Sequence, residues 1–94
     1  MSTKYYAFIS KEPDGFHFWY PDFGSSYSTS TISGLVQSKE DIIDTVETSL
    51  KTFLQRMRSA NIIGPRPSTL LELSKLSLEV LENVYWVLEI DADT

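Results

Sequence analysis

Between Ser38 and Ala60 the apolar residues Ile42, Ile43, Val46, Leu50, Phe53, Leu54 and Met57 recur at spacings of three and four, the period of a single stripe along an α-helix. This is the clearest helix in the chain, and most of what surrounds it is patterned as strand. The fold is therefore constrained to a sheet with one long helix laid across it. Ser38-Lys39-Glu40-Asp41 resembles a capping box with Asp at N3, which predicts a start at Ser38. Asn61-Ile62-Ile63-Gly64-Pro65 predicts the stop, with Gly64 free to take a positive φ and Pro65 unable to continue the ladder. Glu40, Asp41 and Asp44 near the start and Arg56 and Arg58 near the end complement the helix dipole.

Strand patterning brackets the helix. Lys4–Ser10 (KYYAFIS) is rich in aromatic and β-branched residues and has no Gly or Pro. Pro13-Asp14-Gly15 supplies the turn, and Phe16–Tyr20 returns as a second strand closed by Pro21. Its alternation sets Phe16, Phe18 and Tyr20 against His17 and Trp19. Gly24–Ser38 is uncharged and dense in Ser and Thr, and a third strand is expected near Tyr27–Ile32. Thr69 with Glu72 predicts the cap of a short second helix, with Leu70, Leu73 and Leu76 as candidate buried positions. Val84–Asp91 reads as the last strand, with Val84, Trp86, Leu88 and Ile90 on one face and Tyr85, Val87, Glu89 and Asp91 on the other. The expected order is β-β-β-α-(α)-β, an α+β layer covered by helix on one face. Both faces of that sheet carry aromatic residues, and one long helix covers only one of them. A partner, a second copy or the short helix is expected over the other.

Composition narrows the function classes. At 94 residues the chain is expected to form a single domain, residues 1–94, small enough that oligomerisation or partner binding would add needed stability. Thirteen acids against eight Lys and Arg give a net charge of −5, which disfavours direct nucleic-acid binding and favours basic partners. Without cysteine there is no disulfide framework, thiolate nucleophile or thiolate zinc site. No apolar run has the length of a membrane span and the N-terminus has no signal-peptide pattern, so a cytoplasmic location is expected.

The run Lys4-Tyr5-Tyr6-Ala7-Phe8-Ile9, then Glu12-Pro13-Asp14-Gly15-Phe16, then Tyr20-Pro21-Asp22-Phe23-Gly24 resembles the opening of the HicB family of antitoxins, with its strand, Asp-Gly turn, second strand and Pro-Asp-Phe corner. Gly64-Pro65-Arg66-Pro67-Ser68 before a short helix, and a terminal strand ending in acids, are also similar. Phe23 is followed directly by Gly24 where the family usually has a proline, and the DNA-binding domain carried by many members is not part of this sequence. The resemblance implies a partial ribonuclease-H-like fold that binds a small basic HicA-like, mRNA-cleaving toxin and occludes its active site. It implies a non-enzymatic protein without cofactor, forming a homodimer or higher oligomer. A different class of reading is a stand-alone regulatory protein of the same fold acting on another protein.

Candidate partner-binding residues follow. Glu12, Asp14 and Asp22 lie in turns, where they are either solvated charges or acidic contacts for toxin Lys and Arg side chains. Trp19, Phe23 and Tyr27 cluster with Tyr20 around the Pro21-Asp22 corner, as core or as interface anchors, with Trp19 expected at the interface. His17, the sole histidine, reads as structural, and no catalytic triad can be built from it. Metal-dependent nuclease chemistry needs carboxylates converging from strand centres. The first strand has none, while Glu89, Asp91 and Asp93 sit at the chain end, so no metal site is expected.

Overall fold

The computed structural model describes residues 3–24, 27–76, 81–82 and 84–92; Asp93 lies outside them. Strand β1 (Lys4–Glu12) and strand β2 (Gly15–Trp19) form an antiparallel hairpin across Pro13-Asp14, in the register Phe8↔Trp19 and Glu12↔Gly15. Gly15 has φ +139°, a conformation that L side chains rarely adopt. Pro21–Phe23 then makes a 3₁₀ turn, and Gly24 leaves it at φ +147°, where a Cβ would overlap the Ser30 backbone.

The third strand, β3, is Ser33–Val36, not Tyr27–Ile32 as expected, and it pairs with β2 from Phe16↔Val36 to Trp19↔Ser33. The expected segment is held as a turn by its own hydroxyls. Ser30 Oγ donates its one proton between the carbonyls of Ile32 (2.8 Å) and Tyr20 (3.1 Å), the nearer being Ile32, and accepts from Ile32 N–H (3.3 Å), and Thr31 N–H bonds the Phe23 carbonyl at 3.0 Å. Ser and Thr side chains thus take backbone partners that a ladder would need. Gly34 belongs in β3 because a Cβ there would stand 2.7 Å from the Phe18 ring.

Helix α1 (Ile42–Ser59) follows a 3₁₀ turn at Lys39–Asp41. Ser38 makes no side-chain cap, because the Asp41 N–H bonds the Ser38 carbonyl (3.1 Å) instead of its hydroxyl. At the other end Asn61, at φ +58°, takes the left-handed position expected of Gly64. Ile62 N–H reaches the Met57 carbonyl at 2.8 Å and Asn61 N–H the Arg58 carbonyl at 3.1 Å, a Schellman closure.

The stripe Ile42, Val46 and Leu50 is fully buried against Tyr5, Ala7, Ile9, Phe18, Tyr20, Val36, Leu88 and Ile90. Each such aliphatic contributes about 1.5–3 kcal/mol of burial. Tyr20 is wholly buried, and its hydroxyl donates to the Val46 carbonyl at 2.7 Å, fixing helix to sheet. Burial pushes this phenol above its ordinary range, and the nearby Glu47 charge adds to the shift.

Helix α2 (Leu70–Leu73) carries the expected capping box: Glu72 N–H donates to Thr69 Oγ1 and Thr69 N–H to Glu72 Oε1, at 3.1 and 3.0 Å. Leu73 is buried, but Leu70 is half exposed and Leu76 only partly covered. Strand β4 (Trp86–Asp91) pairs antiparallel with β1, giving the order β3-β2-β1-β4. The result is an α+β fold, and of the covers expected over the second sheet face the short-helix segment is the one present: Phe8 and Trp19 pack under Leu73, flanked by Tyr6, Tyr27, Leu76, Leu81 and Val84. Tyr85 also departs from the expected alternation. It precedes the ladder, and its ring lies 6.0 Å from Phe16 and under the Lys11 ammonium at 5.8 Å.

Candidate partner-binding surface

The six residues singled out in the sequence do not form one site. Trp19 is 3% exposed and sits edge-on to Phe8 at 5.7 Å beneath Leu73. It is a core residue of the second layer and not a surface anchor, because the chain folds its own apolar cover over that face. Phe23 lies on the opposite face, with its ring 5.6 Å from Tyr5 and 5.6 Å from Phe53, and it closes the end of the core under α1. Asp22 is not a solvated turn charge: one carboxylate oxygen accepts from Ser68 N–H at 2.9 Å and the other from the Ser68 hydroxyl. That contact ties the Pro21 corner to the segment leading into α2.

Glu12 and Asp14 remain exposed at the β1–β2 turn. His17 Nε2 lies 3.0 and 3.2 Å from the two Asp14 oxygens. A carboxylate only accepts, so that nitrogen carries the proton. The imidazole also stacks on Tyr27 with centroids 4.3 Å apart, which places Tyr27 on the rim of the same end. Asp14, His17 and Tyr27 form a continuous Asp–imidazole–phenol chain, in which His17, read from the sequence as structural, bridges two of the singled-out residues.

What the sequence reading missed lies beside this turn. Were Gly15 an alanine, its Cβ would stand 2.8 Å from the Val36 carbonyl and 3.2 Å from Leu35 Cδ1, so the turn abuts the exit of β3. Just beyond runs a shallow groove of about 620 Å³ lined by Leu35, Val36, Gln37, Ser38, Asp41 and Thr45. Leu35 is 43% exposed and Ile43, on the first turn of α1, 51%. This end therefore combines the carboxylates Glu12, Asp14 and Asp41 with uncovered aliphatic surface, a mixture suited to protein contact. The available signal was Leu35 inside an uncharged stretch, passed over because the third strand was expected too early.

At the opposite end of β1, Glu89 receives the Lys4 ammonium at 3.0 Å and the Tyr6 hydroxyl at 3.1 Å. Those bonds hold the Glu89 carboxyl below the usual range and raise the Lys4 and Tyr6 groups. These are fully solvated pairs and contribute little to stability. Among the described residues no group of three or more His, Cys, Asp or Glu is placed to hold a metal ion, and no helix is long and apolar enough to cross a membrane.

No protein-family profile matches the sequence, and no curated protein matches it. The fold does have a counterpart among solved structures. A chain from a HicA3 and HicB3 toxin-antitoxin complex aligns with a TM-score of 0.71 over 97% of this chain and 99% of that one, at 16% sequence identity. The likeness spans the whole α+β arrangement, so the fold of this chain is that of a component of a HicA–HicB-type assembly.

Proposed function

We propose that this chain is a HicB-like, antitoxin-type protein: a single non-enzymatic domain, homodimeric, that binds a small basic HicA-like toxin and blocks its RNA-cleaving site. The observation that carries the reading is the end-to-end fold likeness to a chain of a toxin-antitoxin complex, joined to the HicB-like order of the Asp-Gly turn and Pro-Asp-Phe corner in the sequence. Charge favours the antitoxin side of such a pair. A protein that holds RNA needs clustered cations, whereas this chain carries −5, and of its few cations Lys4, Lys51 and Arg66 lie in ion pairs with Glu89, Glu47 and Glu72. The one histidine is engaged with Asp14 and Tyr27, which supports a structural place for it.

Inspecting the genes adjacent to its own for a small basic open reading frame, and co-expressing the chain with one, test the proposal, and the absence of such a neighbour counts against it. The expected result is relief of growth arrest and co-purification of the two chains. Continued arrest, or no complex between purified proteins, would leave the stand-alone regulatory reading in its place.

A further inference from the structure

The two outer strands of the sheet are unlike each other. β4 carries Glu89 and Asp91, so two copies pairing along it would bring like charges together. β3 lies at the other edge, inside Gly24–Ser38, the longest stretch of the chain without a charged residue, which also lacks proline. Lysines, prolines and inward-pointing charges are among the means of keeping an edge from pairing, and β3 has none of these, its shortness being the one such device it carries. For a chain of net charge −5, contact between copies is least opposed where charge is absent. Leu35, 43% exposed beside that edge, offers apolar area that a second Leu35 would cover.

We propose that β3 is the self-association edge, pairing antiparallel with β3 of a second copy about a two-fold axis normal to the sheet. This rests on the oligomeric part of the proposed function and not on its toxin part. Such a contact is isologous, as closed dimers require. It joins two four-stranded sheets into one of eight, with both α1 helices on the same face. A four-residue strand falls short of the roughly 1,200 Å² usual for stable complexes, so a dissociation constant in the micromolar range or weaker is expected.

Sedimentation of the full chain from about 10 to about 500 µM, bracketing that weak range, tests it with three proteins: wild type, Leu35→Lys, and Ile63→Lys as a control at a site 95% exposed on the loop beyond α1. Wild type and Ile63→Lys are expected to dimerise with concentration, with amide exchange slowing across residues 33–36. Leu35→Lys is expected to weaken the dimer at least about tenfold through like charges at the two-fold, while its melting temperature stays near wild type because the side chain is not core. A wild type that sediments as monomer throughout, or a dimer indifferent to Leu35→Lys, overturns the proposal. Toxin neutralisation separates the two readings. Neutralisation by a wild type that stays monomeric at every concentration would overturn the proposal and leave the toxin reading standing. Failure of neutralisation by a wild type that does self-associate through β3 would sink only the toxin reading.

Discussion

Tyr20 joins the hairpin to the helix through one hydroxyl. Its ring is wholly buried and its O–H meets the Val46 carbonyl at 2.7 Å. Tyr20→Phe keeps the ring and deletes the donor, so the expected loss is about 0.5–1.5 kcal/mol, the net contribution of one intramolecular hydrogen bond, read from urea unfolding. The same residue sets an alkaline limit. Burial raises its folded pKa above the unfolded value, so its stabilisation is complete below the unfolded phenol pKa near ~10. Above that pH the unfolded chain releases the proton while the native one keeps it, and stability falls as pH rises toward the folded pKa. Wild type should therefore lose stability more steeply above pH ~10 than Tyr20→Phe, and parallel curves for the two proteins would show that the buried phenol is not responsible.

At the level of elements, the cover over Phe8 and Trp19 depends on a short helix. α2 is four residues long and contributes Leu73 as its one buried side chain. Nucleation makes so short a helix unstable alone, so the Thr69–Glu72 cap and the Asp22–Ser68 bonds have to position it. Asp22→Ala removes both Ser68 partners, and the cover over Phe8 and Trp19 should loosen. In a Trp86→Phe background, Trp19 emission is expected to shift red and quench more readily with acrylamide, with stability falling by about 1–3 kcal/mol for the orphaned donors. Unchanged emission would mean that Leu73 alone holds the layer. These elements also show how much of the fold was legible. Period-three-and-four spacing identified α1, and period-two alternation assigned the faces of β2, because both patterns record burial directly. The hydroxyl-rich stretch before β3 was misjudged because strand propensity says nothing of where Ser30 will find backbone partners. Trp19 was misassigned for a related reason: a lone aromatic face looks uncovered until a distant segment, tied by Asp22, is known to return over it. Of the candidate site, Asp14 was singled out from its turn, but its link through His17 to Tyr27 was not legible, because a ring stack between a hairpin and a residue beyond it leaves no mark in local patterning.

For the molecule as a whole, charge acts at a distance while side-chain packing acts on contact, and salt separates the two. Carboxylates at the β1–β2 turn lie exposed on a surface of net charge −5, and a basic partner approaching that end is drawn by the summed field before any contact forms. Screening shortens the reach of that field to about 8 Å at physiological ionic strength. Glu12→Lys with Asp14→Lys reverses two charges and takes the net charge to −1. With the co-purified toxin as ligand, the association rate of the double variant should fall about tenfold at low salt and converge on wild type near ~0.5 M salt. Its dissociation rate should change by less than about threefold, because exposed rim charges govern encounter more than residence. Asp14→Lys also breaks the His17 hydrogen bond, so Asp14→Asn, which keeps an acceptor oxygen while removing the charge, serves as the control and should lie between the two. Equal slowing at every salt concentration would mean that these side chains make direct contacts, and steering would then have to be assigned to Asp41 and its neighbours at the start of α1.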